Sequence, residues 1–94
     1  MAILVIDQAP GVTAAQYEAI VRQLGPDTTQ PGQMLLLAGP VEGGWRVISV
    51  WESQEAYEAF RRDRLMPVVT QQSGITDQVQ FAPLHSVVIA PQHR

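Results

Sequence analysis

The 94-residue chain has no cysteine, no lysine and no asparagine. Without cysteine there is no disulfide, no thiol nucleophile and no thiolate metal ligand. All six basic residues are arginine, which reads first as the codon usage of a GC-rich genome. Only Arg61, Arg62 and Arg64 cluster, and Glu55, Glu58 and Asp63 share their stretch. That is the pattern of a solvated helix face, so no nucleic-acid partner is expected. No apolar run approaches the roughly 18 residues that span a bilayer, so no membrane partner is expected either. Gly43-Gly44 is a turn, because neither a phosphate loop nor a dinucleotide fingerprint surrounds it. Of the two histidines only His85 lies outside the tail, too few ligands for a metal site. The expectation is a chain with no metal and no cofactor.

What is present is apolar. Hydrophobic residues make up 46%, charged residues 16%, and the net charge is −3, the balance of a folded globular protein. A single domain over residues 1–90 is expected, with a tail at 91–94. A strand pattern starts at once, with no basic leader, so a cytoplasmic protein is expected.

The segment Trp45 to Met66 organises the rest. Trp45, Val47, Ser49 and Trp51 alternate with Arg46, Ile48, Val50 and Glu52, the period of a strand with cover on both faces. Ser53 caps the helix that follows, with Glu55 and Glu58 near its positive end and Arg61, Arg62 and Arg64 near its negative end. Glu58 and Arg62 stand at a spacing that allows an ion pair. Pro67 predicts a kink or an end at Met66. Upstream, Ala2–Ile6 reads as a buried strand ending at Asp7, and Ala9-Pro10-Gly11 as a turn. Thr13 and Gln16 form a capping box, with Val12 and Tyr17 as a hydrophobic staple. Tyr17, Ile20, Val21 and Leu24 then make one helical stripe, stopped at Gly25-Pro26. Asp27–Gln33 reads as loop, Met34–Ala38 as a strand buried on both faces, and Gly39–Gly44 as a hairpin connection. Gln71–Asp77 reads as loop, Val79–Leu84 as a strand interrupted by Pro83, which suits an edge or a bulge, and Ser86–Ala90 as a last strand.

The order β-α-β-β-α-β with an extra C-terminal strand is a ferredoxin-like α+β plan, an antiparallel sheet with two helices on one face. The other face is apolar too. About ten side chains there, worth ~1.5–3 kcal/mol each when buried, need a second sheet that 94 residues cannot supply. A homodimer packed sheet on sheet follows.

The run Trp51-Glu52-Ser53-Gln54-Glu55-Ala56-Tyr57, with Gly39-Pro40 and Gly43-Gly44-Trp45-Arg46-Val47 before it, resembles the dimeric α+β-barrel superfamily of small polyketide monooxygenases, cyclases and related proteins. The likeness is specific across Gly39 to Phe60. It implies a sheet curved around a ligand cavity that the protomer's own helices close. In the cofactor-free monooxygenases of that superfamily the tryptophan before Glu-Ser and the tyrosine six residues on line the cavity, positions held here by Trp51 and Tyr57. Those enzymes carry an asparagine where this chain has Val47. A bacterial branch carries a histidine near Leu36 and an aspartate at Ser49, so the implied cavity is unusually apolar here.

Read from the residues alone, Trp51 fits either an aromatic lid over a flat ligand or plain core. Tyr57 and Arg64, seven apart on one helix, fit either a hydroxyl and guanidinium facing a substrate oxygen or an exposed flank. Asp7 fits a buried base or a solvated strand end, and His85 a neutral-pH proton carrier or a surface residue. The combined expectation is a cofactor-free monooxygenase, cyclase or isomerase acting on an aromatic or polyketide-like small molecule. Its catalytic candidates are Asp7, Tyr57, Arg64 and His85, and its substrate-binding candidates are Leu36, Val47, Ser49 and Trp51. The alternative is a homodimer on the same scaffold that binds a small ligand without catalysis.

Overall fold

A computed structural model describes residues 1–25, 30–72 and 74–90. Strand β1 (Ile3–Pro10) leads to helix α1 (Ala14–Leu24), and strands β2 (Gln33–Val41) and β3 (Gly44–Trp51) follow. Helix α2 (Gln54–Phe60) runs through a π-helical turn (Arg61–Leu65) into α3 (Met66–Val69), and β4 (Gln78–Pro83) closes the sheet. The strand order is β2-β3-β1-β4, with every neighbouring pair antiparallel. This is the ferredoxin-like arrangement that the element order predicts. No helix among the described residues is long and apolar enough to cross a membrane.

Local chemistry sets the element starts. The Thr13 hydroxyl accepts from the Gln16 N–H at 3.2 Å, and Gln16 Oε1 accepts from the Thr13 N–H at 2.9 Å. The Ser53 hydroxyl accepts from the Ala56 N–H at 3.1 Å. Each satisfies amide donors that the first helical turn leaves without partners. Gly44 faces Pro10 across β1 and β3, and a Cβ there would stand 2.5 Å from the Ala9 carbonyl oxygen. Only glycine lets the two strands approach so closely at that end.

The sheet register sorts the side chains. Ile3, Val5, Asp7 and Ala9 pair with Trp51, Ser49, Val47 and Trp45 on one face. Helices cover this face, and its core is Ile3, Val5, Trp51 and Tyr57, with Ala56, Phe60 and Val79 packed around them. Trp51 meets Tyr57 edge-on, with ring centres 5.5 Å apart, and Phe60 at 5.3 Å. The opposite face carries Leu4 and Ile6 beside Val50 and Ile48, with Leu35 and Leu37 on β2.

Five expectations change. Strand β1 runs past Asp7 to Pro10, because its pairing with β3 continues to Gly44, so Asp7 is inside the strand. The second helix does not stop at Pro67. It widens to a π turn, in which the Met66 N–H reaches the Arg61 carbonyl, five residues back. That turn accommodates the proline, which lacks an N–H and would crowd a regular α-helix. Glu58 accepts from Gln54 Nε2 at 2.8 Å, while Arg62 pairs with Asp63 at 2.9 Å on the surface. Ser86–Ala90 forms no strand within this chain and pairs with neither edge strand, β2 or β4, and Val88 is 90% exposed. Strand β2 is likewise less covered than expected in the single chain, with Leu37 54% exposed. Pro26, residues 27–29 of the expected 27–33 loop, residue 73 of the expected 71–77 loop and the 91–94 tail lie outside the described residues.

Candidate active site

A cavity of about 190 Å³ lies between the helix-covered face of the sheet and the helices. The strand period sends Asp7, Ala9, Leu36, Trp45, Val47, Ser49 and Trp51 into its wall, and the α1 stripe of Tyr17, Ile20, Val21 and Leu24 closes it. Tyr57, Phe60, Leu65, Val69, Ile75 and Asp77 complete it. Most of these side chains are apolar.

The charged groups gather at one side. Arg61 forks onto Asp77, with Nη1 to Oδ2 at 2.7 Å and Nη2 to Oδ1 at 2.8 Å. The same Nη1 donates to the Tyr57 hydroxyl at 3.3 Å and stands 3.5 Å from Asp7 Oδ2. The Tyr57 hydroxyl is in turn 3.5 Å from Asp7 Oδ2, a long contact. Burial, followed by the neighbouring Asp77 carboxylate, raises the Asp7 pKa to about 7, against a smaller lowering by Arg61. The Arg61 fork holds Asp77 below the usual carboxylate range. Burial pushes the Tyr57 phenol up to about 12, so it remains a neutral donor. One carboxyl of the pair is therefore poised to exchange a proton near neutrality, and the other is fixed as an anion.

Asp7, Tyr57, Trp51, Leu36, Val47 and Ser49 all stand in the cavity wall. Trp51 is 1% exposed, and its Nε1–H donates to the Ser49 hydroxyl at 2.8 Å, so the indole is held from the same strand. Arg64 and His85 stand elsewhere. Arg64 is exposed and donates to the Leu24 carbonyl at the end of α1, at 2.9 Å. His85 is exposed beyond the end of β4. On a straight α-helix Arg64 would share the face of Tyr57, but the π turn sets later residues back by up to one step, about 100°. Arg61, one turn after Tyr57, occupies the place expected for Arg64. The four-residue spacing from Tyr57 to Arg61 was a usable signal, whereas nothing local marks Asp77, which sits in a loop.

No protein-family model matches the chain, and no curated protein matches it. Solved structures do resemble it. SnoaB, a cofactor-independent oxygenase from Streptomyces nogalater, solved as an asparagine-to-alanine variant, matches with a TM-score of 0.66 and 16% identity. That match covers 93% of this chain and 96% of SnoaB. A protein from Chloroflexus aurantiacus J-10-fl, named for antibiotic biosynthesis monooxygenases, matches with a TM-score of 0.58 and 13% identity. It covers 94% of this chain and 99% of its own. The likeness is one of fold, the ferredoxin-like α+β fold of these monooxygenase-type proteins.

Proposed function

We propose that this protein, built on the fold of a cofactor-independent oxygenase, is a small-molecule enzyme that takes a proton from an aromatic or polyketide-like compound. The observation that carries the reading is the Asp7 carboxyl set in an apolar wall, with Tyr57 beside it and the Arg61–Asp77 pair behind. Ionised Asp7 is the base and accepts a proton from a substrate hydroxyl or activated C–H. Tyr57, polarised by the Arg61 N–H that it accepts, donates to the oxygen where negative charge develops. Proton transfer alone serves a cyclase or isomerase. In a monooxygenase the electron-rich anion reduces dioxygen: a ring CH2 becomes C=O, one oxygen atom enters the product and the other leaves as water.

The chain is further proposed to act as a homodimer packed through the uncovered sheet face, where Leu37 is 54% exposed. Ligand binding without catalysis is the second reading, favoured by the many aliphatic groups in the wall. Oxygen uptake and product formation with a panel of hydroxylated aromatics and enolisable aryl ketones separate the two. Turnover by the wild type that Asp7→Asn removes supports the enzyme. Ligands that bind yet are neither oxidised nor rearranged would leave the binding reading.

A further inference from the structure

The same cavity carries a statement about which compounds fit it, one that rests on the proton-abstracting reading above. We infer that its substrate is an uncharged compound of one or two fused rings, with one oxygen-bearing edge and an otherwise apolar body. Ionic forms and larger ring systems are excluded.

Size sets the first bound. An aliphatic cavity on the order of 150 Å³ takes up benzene, whereas pockets for drug-sized ligands start at ~300 Å³. At about 190 Å³ this cavity lies between them, nearer the first. It has room for a ring or a fused pair, and three fused rings would overfill it.

Charge sets the second. Among the described residues the wall holds two acids, Asp7 and Asp77, and no cationic side chain. Arg61 stands behind them with its fork already taken by Asp77 and its Nη1 also beside Asp7 and Tyr57. An arginine so occupied has no free face for a carboxylate or phosphate on a ligand. An anion entering here would find no free cation to pair with and would lose its water against an apolar surface. A cation fares little better, because Arg61 already neutralises Asp77 and the rest of the wall cannot solvate an ammonium. The other polar groups of the wall, such as Ser49, Gln33 and Trp45, carry no charge. Ser49 is engaged by Trp51, and the Gln33 side-chain oxygen by the Gln30 N–H. The Trp45 Nε1–H is buried without a partner, so it joins Asp7 and Tyr57 as the edge to which a substrate oxygen turns.

Calorimetric binding without dioxygen tests this, using 2-naphthol, 2-naphthoate, 2-naphthylmethylammonium and the three-ring anthrone. At about pH 6, between the ordinary carboxyl and phenol pKa values, naphthol is neutral and naphthoate ionised. Naphthol should bind at least ~10-fold more tightly than each of the other three. Equal or tighter binding of naphthoate, the ammonium or anthrone would overturn the inference, as would no binding of naphthol. Val47→Phe, which narrows the cavity, should weaken naphthol at least ~10-fold, and Ala9→Leu serves if the first variant does not fold. Unchanged affinity in a folded variant of either kind places the ligand elsewhere and also overturns it. The order of affinities should persist in Asp7→Asn. An intact order with no turnover by the wild type in air would sink the enzyme reading alone.

Discussion

Asp7 ties the proposed chemistry to folding through one proton. Its pKa is raised to about 7 in the fold, chiefly by burial, and falls to its ordinary value near 4 in the unfolded chain. Between those values the native state holds the proton more tightly, so this group's contribution to stability is greatest below about pH 4 and is lost as pH rises to about 7. Asp77, lowered by Arg61, titrates below that window and does not offset the loss. Denaturant unfolding should therefore show the wild type losing stability from about pH 4 to pH 7, with a flatter profile in Asp7→Asn. Turnover needs the ionised form, so kcat/KM should rise through about pH 7 and then level off. Asp7→Asn should reduce the rate by ~10²–10⁴-fold and Tyr57→Phe by about 10-fold, the latter with the dimer intact. His85→Ala and Arg64→Ala, both at exposed sites, should leave the rate unchanged. A rate loss in either that matches Asp7→Asn would move the site away from the cavity.

At the scale of elements, the β1–β3 hairpin-like contact and the π turn place the site. The first brings Asp7 beside Val47 and holds Trp45 opposite Ala9. It depends on Gly44, where a Cβ would stand 2.5 Å from one backbone oxygen and 2.9 Å from the Pro10 Cα. Backbone atoms cannot yield as a flexible side-chain end does. Gly44→Ala should cost ~1–3 kcal/mol by chemical denaturation, the range for forced overpacking. Gly11→Ala meets no atom within 4 Å and pays only for its positive φ of 77°, so the two losses have different causes. A Gly44→Ala protein as stable as wild type would show that the strands separate freely there.

The whole molecule leaves apolar surface that a single chain does not cover. Leu37 is 54% exposed, Ile89 61% and Val88 90%. Leu37 lies on the face opposite the cavity, in line with Ile48 and Ile6 across three strands. Sedimentation at micromolar concentration should give about twice 10.3 kDa. Leu37→Arg should give the monomer mass with helix and sheet content retained, because the charge enters the interface and not the protomer core. A wild type that sediments at 10.3 kDa would remove the sheet-on-sheet dimer.

Most elements, and which residues share a face, were legible in the order of the residues. Period two sends Val47, Ser49 and Trp51 to one side of β3, and Thr13, Ser53 and Gly25 mark helix ends through hydrogen bonds made within a few residues. Those are short-range effects, legible wherever the chain is read. The partners of Asp7 were not legible in this way. Tyr57 reaches it across the fold, Asp77 comes from a loop with no motif, and burial by distant elements sets its proton affinity. Arg61 replaces Arg64 because a π turn ahead of Pro67 changes the helical phase, and hydrogen bonding in the folded helix decides that phase. Ser86–Ala90 has the residues of a strand, yet it pairs with neither edge strand of the sheet, β2 or β4, and strand-forming residues make a strand only where they pair.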